Sequence, residues 1–193
     1  PAAIAARCGA VTEDPRGLRS PQEDHLTFGP RWRVLHRMAL GAGEGLATLT
    51  LPLAAQVDLK EGWLMHPALM DLATGWAMGL IAGYRPDHLW VPVSYGRVRV
   101  WGPIPARILS WVRNAAPNAA AGPVAVFDVT LADDTGRVLA EISGFTIRKL
   151  EGGLAPAPLA ERDLEFDTPD PAKPPSPQEE RLLHNLSQGI RAE

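Results

Sequence analysis

The sequence predicts an α+β domain in which one long buried helix is wrapped by a strongly curved antiparallel sheet. Three observations carry this expectation. Residues 66–83 hold the one strong helical pattern; two strand-like runs precede it; four more follow, arranged as a meander.

The helix comes first. Pro67 suits the first helical position, where a missing amide proton costs nothing, and Gly83 suits the C-terminal stop. Leu69, Ala73, Trp76 and Leu80 form one stripe, widened by Met70, Ala77 and Ile81 on one flank and by Leu72 on the other. Apolar around most of its circumference, this helix is expected to be buried. Upstream, residues 31–40 and 45–51 read as strands joined by Gly41-Ala42-Gly43-Glu44, with Leu49 and Leu51 alternating with Thr48 and Thr50 in the second. Residues 52–63 form a polar connection. Downstream, residues 89–100, 106–114, 124–132 and 137–149 read as strands, with Asp133-Asp134-Thr135-Gly136 as a hairpin turn and 115–122 as a loop. Pro92, Pro103 and Pro105 break the first of these runs into shorter pieces or edge positions.

Residues 1–25 are expected to be an N-terminal linker with one helical turn, 26–150 the folded domain, and 151–193 a Pro-rich linker with six prolines from Pro156 to Pro175. Within the last, Ser176-Pro177-Gln178-Glu179 has the pattern of a cap for a short helix through Leu186, ending at Gly189. The chain opens at Pro1 without Met, which reads as a piece of something larger.

Composition narrows the function. The apolar fraction is 46%, with six Trp, enough for a real core. The formal net charge is only −3, with Lys and Arg scattered, so neither nucleic acid nor a membrane surface is an expected partner. Cys8 is the only cysteine, which excludes an internal disulfide and a thiolate cluster. No stretch reaches the ~20 apolar residues of a membrane span, and a reducing, cytoplasmic setting fits best.

Asp71 is the only charge in the run from Gly62 to Ile81, apart from the histidine at its start. At about 100° per residue it lies opposite the Leu69 stripe, with Thr74, Gly75 and Met78 beside it. Two readings stand side by side. One is a helix residue near the positive end of the dipole, satisfied by water or backbone. The other is a carboxyl held as an acid by apolar surroundings. His66 is a base or ligand candidate, but five residues of helix separate the two side chains by about 140°, which favours a role at the helix start. His25, His36, His88 and His184 show no metal-ligand spacing, so no metal site is expected. Gly41, Gly43 and Gly45 lack the context of a nucleotide loop, and no nucleophile elbow occurs. Arg97, Arg99 and Arg107 read as a solvated cluster or as a docking patch for an acidic partner.

Four motifs in order give a resemblance. Phe28-Gly29-Pro30-Arg31-Trp32 is similar to an aromatic-Gly-Pro-x-aromatic run. His66-Pro67-Ala68-Leu69-Met70-Asp71 looks like a His-Pro-Ala-Leu-Leu-Asp helix start. Val91-Pro92-Val93-Ser94-Tyr95-Gly96-Arg97-Val98 resembles the strand after that helix, and Gly136-Arg137-Val138 through Phe145-Thr146-Ile147-Arg148 resembles a closing hairpin. Together they resemble the C-terminal half of the dehydratase domain of modular polyketide synthases, over residues 26–149.

The resemblance implies a hot-dog fold, one half of a double hot dog. It implies a reaction in which a His from the other half removes a proton alpha to a thioester. An Asp acid, matched here by Asp71, then protonates the leaving β-hydroxyl. The chain would carry no cofactor of its own; phosphopantetheine on an acyl carrier protein would hold the substrate. Phe28, Gly29, Pro30, His66, Pro67, Leu69, Thr74, Gly75, Val93, Ser94 and Tyr95 are the expected substrate-binding positions. Acyl carrier protein, other synthase domains, and a second copy or second hot dog are the expected partners. Two departures are visible. The family's His-x-x-x-Gly-x-x-x-x-Pro motif is absent: His25 is followed by Gly29, but Val34 stands where Pro is needed. The family's Gln or His four residues after the Asp is replaced by Gly75. The alternatives are therefore a degenerate hot dog with a structural or carrier-docking role, or a related isomerisation, cyclisation or thioester hydrolysis.

Overall fold

The computed structural model describes residues 1–150, so the Pro-rich stretch and the short helix expected within 151–193 lie outside the described residues. Ten elements appear in chain order: α1 (Ala2–Ala5), β1 (Ala10–Glu13), β2 (Leu35–Leu40), β3 (Glu44–Thr50), α2 (Pro67–Gly75), β4 (Trp90–Ser94), β5 (Arg97–Val100), β6 (Arg107–Asn114), β7 (Val124–Ala132) and β8 (Val138–Lys149). The strands form one antiparallel sheet in the order β1-β2-β3-β6-β7-β8-β4, with β5 also pairing to β8.

Alternation sets which face of the sheet turns inward. On β6, Ile108, Ser110 and Val112 are buried, and on β7 so are Ala125, Phe127, Val129 and Leu131. They share one core with Leu69, Leu72, Ala73 and Trp76 of the helical segment. A buried polar clamp fixes helix to sheet. The Ser110 hydroxyl donates to the Ala73 carbonyl at 2.7 Å and accepts from the Trp76 indole at 3.1 Å. Gly45 of β3 is required here, because a Cβ would lie 2.7 Å from the Trp76 ring.

The helix differs from its expected length. It is α-helical only to Gly75 and continues as a 3₁₀ turn over Trp76–Leu80. Gly75 and Gly79 are poor helix formers, and a side chain on Gly79 would strike Leu40 of β2 at 2.8 Å.

Residues 89–100, expected as one broken run, make two strands on the same neighbour. β8 pairs β5 through Ala140–Ser143 and β4 through Thr146–Lys149. Between these stretches β8 bends at Gly144, whose φ is +66° and whose amide donates to the Asp128 carboxylate at 2.9 Å. Gly96 lies against this bend, where a Cβ would come within 2.9 Å of the Ser143 carbonyl oxygen.

Two upstream segments also depart from expectation. The start of the strand expected at 31–40 is a 3₁₀ turn over Pro30–Trp32, with β2 beginning at Leu35. Residues 1–25, expected to be a linker, hold α1, a β1 strand paired to β2 from Ala10↔Leu40 to Glu13↔Arg37, and a 3₁₀ turn over Pro21–Asp24. That turn carries a capping box, in which Ser20 accepts from the Gln22 amide and Glu23 accepts from the Ser20 amide at 2.7 Å.

Candidate functional site

Asp71 sits at the middle of α2, half-buried, with one carboxylate oxygen held from another part of the chain. The Trp32 indole N–H donates to Asp71 Oδ2 at 2.8 Å. Trp32 closes the Pro30–Trp32 turn, in which Pro30 takes the first position after Gly29. Its ring stacks near that of Phe28, with centroids 6.5 Å apart and planes 21° from parallel. The motif at residues 28–32 is therefore the device that brings an indole over the helix.

Tyr95 also lies near this carboxylate. It lies at the β4–β5 corner, stacked on the buried Phe145 ring at 5.2 Å. Burial, and after it the nearby Asp71 carboxylate, push the Tyr95 phenol up from its ordinary range. The ring remains partly open to solvent, with Val93 and Ser94 exposed beside it on β4. Asp71, the Phe28–Trp32 motif and Tyr95 thus come from three separate stretches of sequence.

Several expected contact residues are committed elsewhere. His66 is buried and caps α2: its Nδ1 accepts from the Ala68 amide at 3.2 Å, and its Nε2 meets Asp58 Oδ2 at 3.3 Å. These partners assign the ring proton to Nε2. The side chain therefore serves helix initiation. Arg31 also binds Asp58, at 2.8 Å, and with His66 holds that carboxyl below the usual range. Leu69 is fully buried core, and Pro67 is exposed at the helix start. Thr74 is buried, and its hydroxyl donates back to the carbonyls of Met70 and Asp71 at 3.1 Å each, so it does not orient the carboxylate. Gly29 and Pro30 are exposed and shape the turn under Trp32.

Gly75 is buried against a residue that sequence reasoning missed. A Cβ there would lie 3.2 Å from Gln22 Oε1 and 3.3 Å from Gln22 Nε2. Gln22 comes from the segment expected to be a linker, is 5% exposed, and its Oε1 has no hydrogen-bond partner. The capping pattern Ser20-Pro21-Gln22-Glu23 was the available signal that this segment is ordered. Trp32 was also missed as a polar group, although its ring is part of the recognised motif.

The three arginines do not form a cluster. Arg107 on β6 pairs with Asp134 at 3.0 Å, while Arg97 and Arg99 lie on β5, with β7 and β8 between. Among the described residues no group of His, Cys, Asp and Glu is arranged to hold a metal ion, and no helix is long and apolar enough to cross a membrane.

A central helix packed against a curved antiparallel sheet defines this as a hot-dog domain. The family model described as "Polyketide synthase dehydratase N-terminal domain" matches residues 3–157, and the chain belongs to the polyketide synthase dehydratase family. Polyketide synthase PksM of Bacillus subtilis (strain 168) is 29% identical over 132 residues, which are 66% of this chain and 3% of that protein. The trans-AT PKS dehydratase domain from Brevibacillus brevis is 25% identical with a TM-score of 0.66, covering 78% of this chain and 52% of the other. The dehydratase domain of RzxB from Pseudomonas fluorescens is 29% identical with a TM-score of 0.54, covering 63% of this chain and 42% of the other. The chain thus spans about half of a solved dehydratase domain or less, and a small fraction of the curated synthases.

Proposed function

We propose that this chain is the carboxylate-bearing hot dog of a polyketide synthase dehydratase, with Asp71 as the general acid. The observation that carries the reading is the hydrogen-bonded, half-buried carboxyl of Asp71, on the helix that opens with His66-Pro67-Ala68-Leu69-Met70. The matching family model is named for the N-terminal domain. Against that label stand this Asp-bearing helix start and the lack of a His-x-x-x-Gly-x-x-x-x-Pro run in the sequence. Both support the C-terminal half.

The proposed substrate is a β-hydroxyacyl thioester on the phosphopantetheine arm of an acyl carrier protein. A base from the partner hot dog takes the proton from the α-carbon, and the electron pair of that C–H bond becomes the new C=C bond. The β-carbon–oxygen bond breaks as Asp71 gives its proton to the departing hydroxyl, which leaves as water. Return of the proton from base to carboxylate through solvent resets the site. Tyr95 and Phe28 line the approach with apolar surface.

The second hot dog is the proposed occupant of the exposed apolar surface on and beside β4 and β5, where Val93, Val98 and Trp101 are 57%, 45% and 58% exposed. Together with the free edge of the sheet, this surface favours association. Coverage of only about half of a solved dehydratase domain supports that occupant. It is a second domain of the same polypeptide or a second copy of this chain.

The test is direct. With the His-bearing hot dog supplied, a β-hydroxyacyl carrier protein is expected to lose water by mass spectrometry, and Asp71→Asn is expected to abolish that loss. No mass change in the wild type would sink the dehydratase reading.

A further inference from the structure

We propose that the Trp32 indole positions the Asp71 carboxyl for proton transfer, taking the place of a side chain one helical turn further on. The inference deepens the reading of Asp71 as general acid and rests on it.

The geometry is specific. Trp32 Nε1 and Asp71 Oδ2 are 2.8 Å apart. An indole N–H only donates, and it has no alternative tautomer. The carbonyl oxygen of a carboxylic acid is its better acceptor, so Oδ2 is assigned as the unprotonated oxygen of the acid form. The transferable proton is assigned to Oδ1, and a single donor thereby decides which oxygen faces the substrate.

The donor is also rigid. The Trp32 ring packs against the core and stacks near Phe28, and the Pro30–Trp32 turn fixes its backbone. Lever length matters for a proton donor, since small displacements of a reacting group cost rate steeply.

The same work is not available from α2 itself. Position 75, one turn after Asp71, is glycine, and its space is filled by the Gln22 amide. Thr74 is bonded back to its own helix, and His66 is engaged at both ring nitrogens. The orienting group must reach Asp71 from outside the helix, and Trp32 does so.

Two measurements test this, and they fail separately. In 1H–15N spectra of the full chain, the Trp32 indole peak is identified by its disappearance in Trp32→Phe. That peak is expected to move upfield in Asp71→Ala while the other indole peaks stay in place. An unmoved peak shows that the hydrogen bond is absent and overturns the proposal, whether or not the chain is an enzyme. In the dehydration assay, with the His-bearing hot dog supplied, Trp32→Phe is expected to lower kcat about 10- to 100-fold with KM nearly unchanged.

Adding Gly75→Gln to the Trp32→Phe chain, with Gln22→Ala to clear its niche, is expected to recover about tenfold of the loss. Unchanged kcat, or a raised KM alone, overturns the positioning role. Loss of rate matched by loss of thermal stability, without recovery in the triple variant, makes Trp32 merely structural and also overturns it. An inactive wild type with a moved indole peak sinks the acid role of Asp71 and the positioning role with it, while leaving the bond itself established.

Discussion

The backbone of Gly75 lies against the side-chain amide of Gln22, so that a Cβ at position 75 would come within 3.2 Å of Gln22 Oε1. A glycine on the helix and a glutamine 53 positions earlier (75 − 22) share one niche beside Asp71. The N-terminal segment therefore packs onto α2 one helical turn after Asp71.

Gln22 holds a buried oxygen without a partner, which costs free energy that an apolar side chain of similar length would not. Gln22→Met is expected to stabilise the domain by about 1 kcal/mol, read as a higher urea midpoint with an unchanged slope. A lower midpoint would show that the amide is satisfied.

Ser110 is fully buried and bonds both the Ala73 carbonyl and the Trp76 indole. Ser110→Ala leaves the indole N–H buried and unpaired, at a cost of about 1–3 kcal/mol. The expected result is a lower denaturation midpoint, with Ser110→Thr retaining more of the wild-type stability than Ser110→Ala.

His66 is the cap of α2, with its Nδ1 on the Ala68 amide. Loss of a cap costs about 1 kcal/mol, and up to about 2 in partly buried settings. His66→Ala is expected to fall in that range, whereas His66→Asn, which caps well, is expected to keep most of the stability. Equal losses in both variants would place the weight on the Asp58 contact.

Asp58 gives a pH dependence. Its carboxyl is held below the usual range, chiefly by the hydrogen bond from Arg31 and next by His66. A carboxyl depressed in the folded state adds stability that is fully present above its unfolded value of about 4 and is lost as pH falls through the lower folded value. Asp58→Asn is therefore expected to be less stable than wild type near pH ~7 and to converge with it near pH ~2. A gap independent of pH, in urea titrations across that range, would contradict this origin.

Much of the architecture was legible in local pattern. β6 alternates cleanly and the first half of β7 does too, and the Asp133–Gly136 turn joins β7 to β8 as the sequence implies, with the Gly136 amide bonded to the Asp133 carbonyl at 2.9 Å. The motif ending in Asp71 fixed the helix start, because Pro67 and a capping side chain act within one turn of chain. β1 was not legible: four exposed residues, Ala10 to Glu13, carry no burial pattern and become a strand only because the β2 edge is there to pair.

The sequence by itself determined the family, the strand alternation of the second half, and the address of the carboxylate, since each rests on short-range spacing. Tertiary structure alone decided what surrounds that carboxylate. Trp32 is 39 positions from Asp71, and Gln22 is further still. Which side chain donates to Asp71, and which fills the space over Gly75, depends on how distant turns pack onto α2. No periodicity of 2 or 3.6 residues encodes that packing.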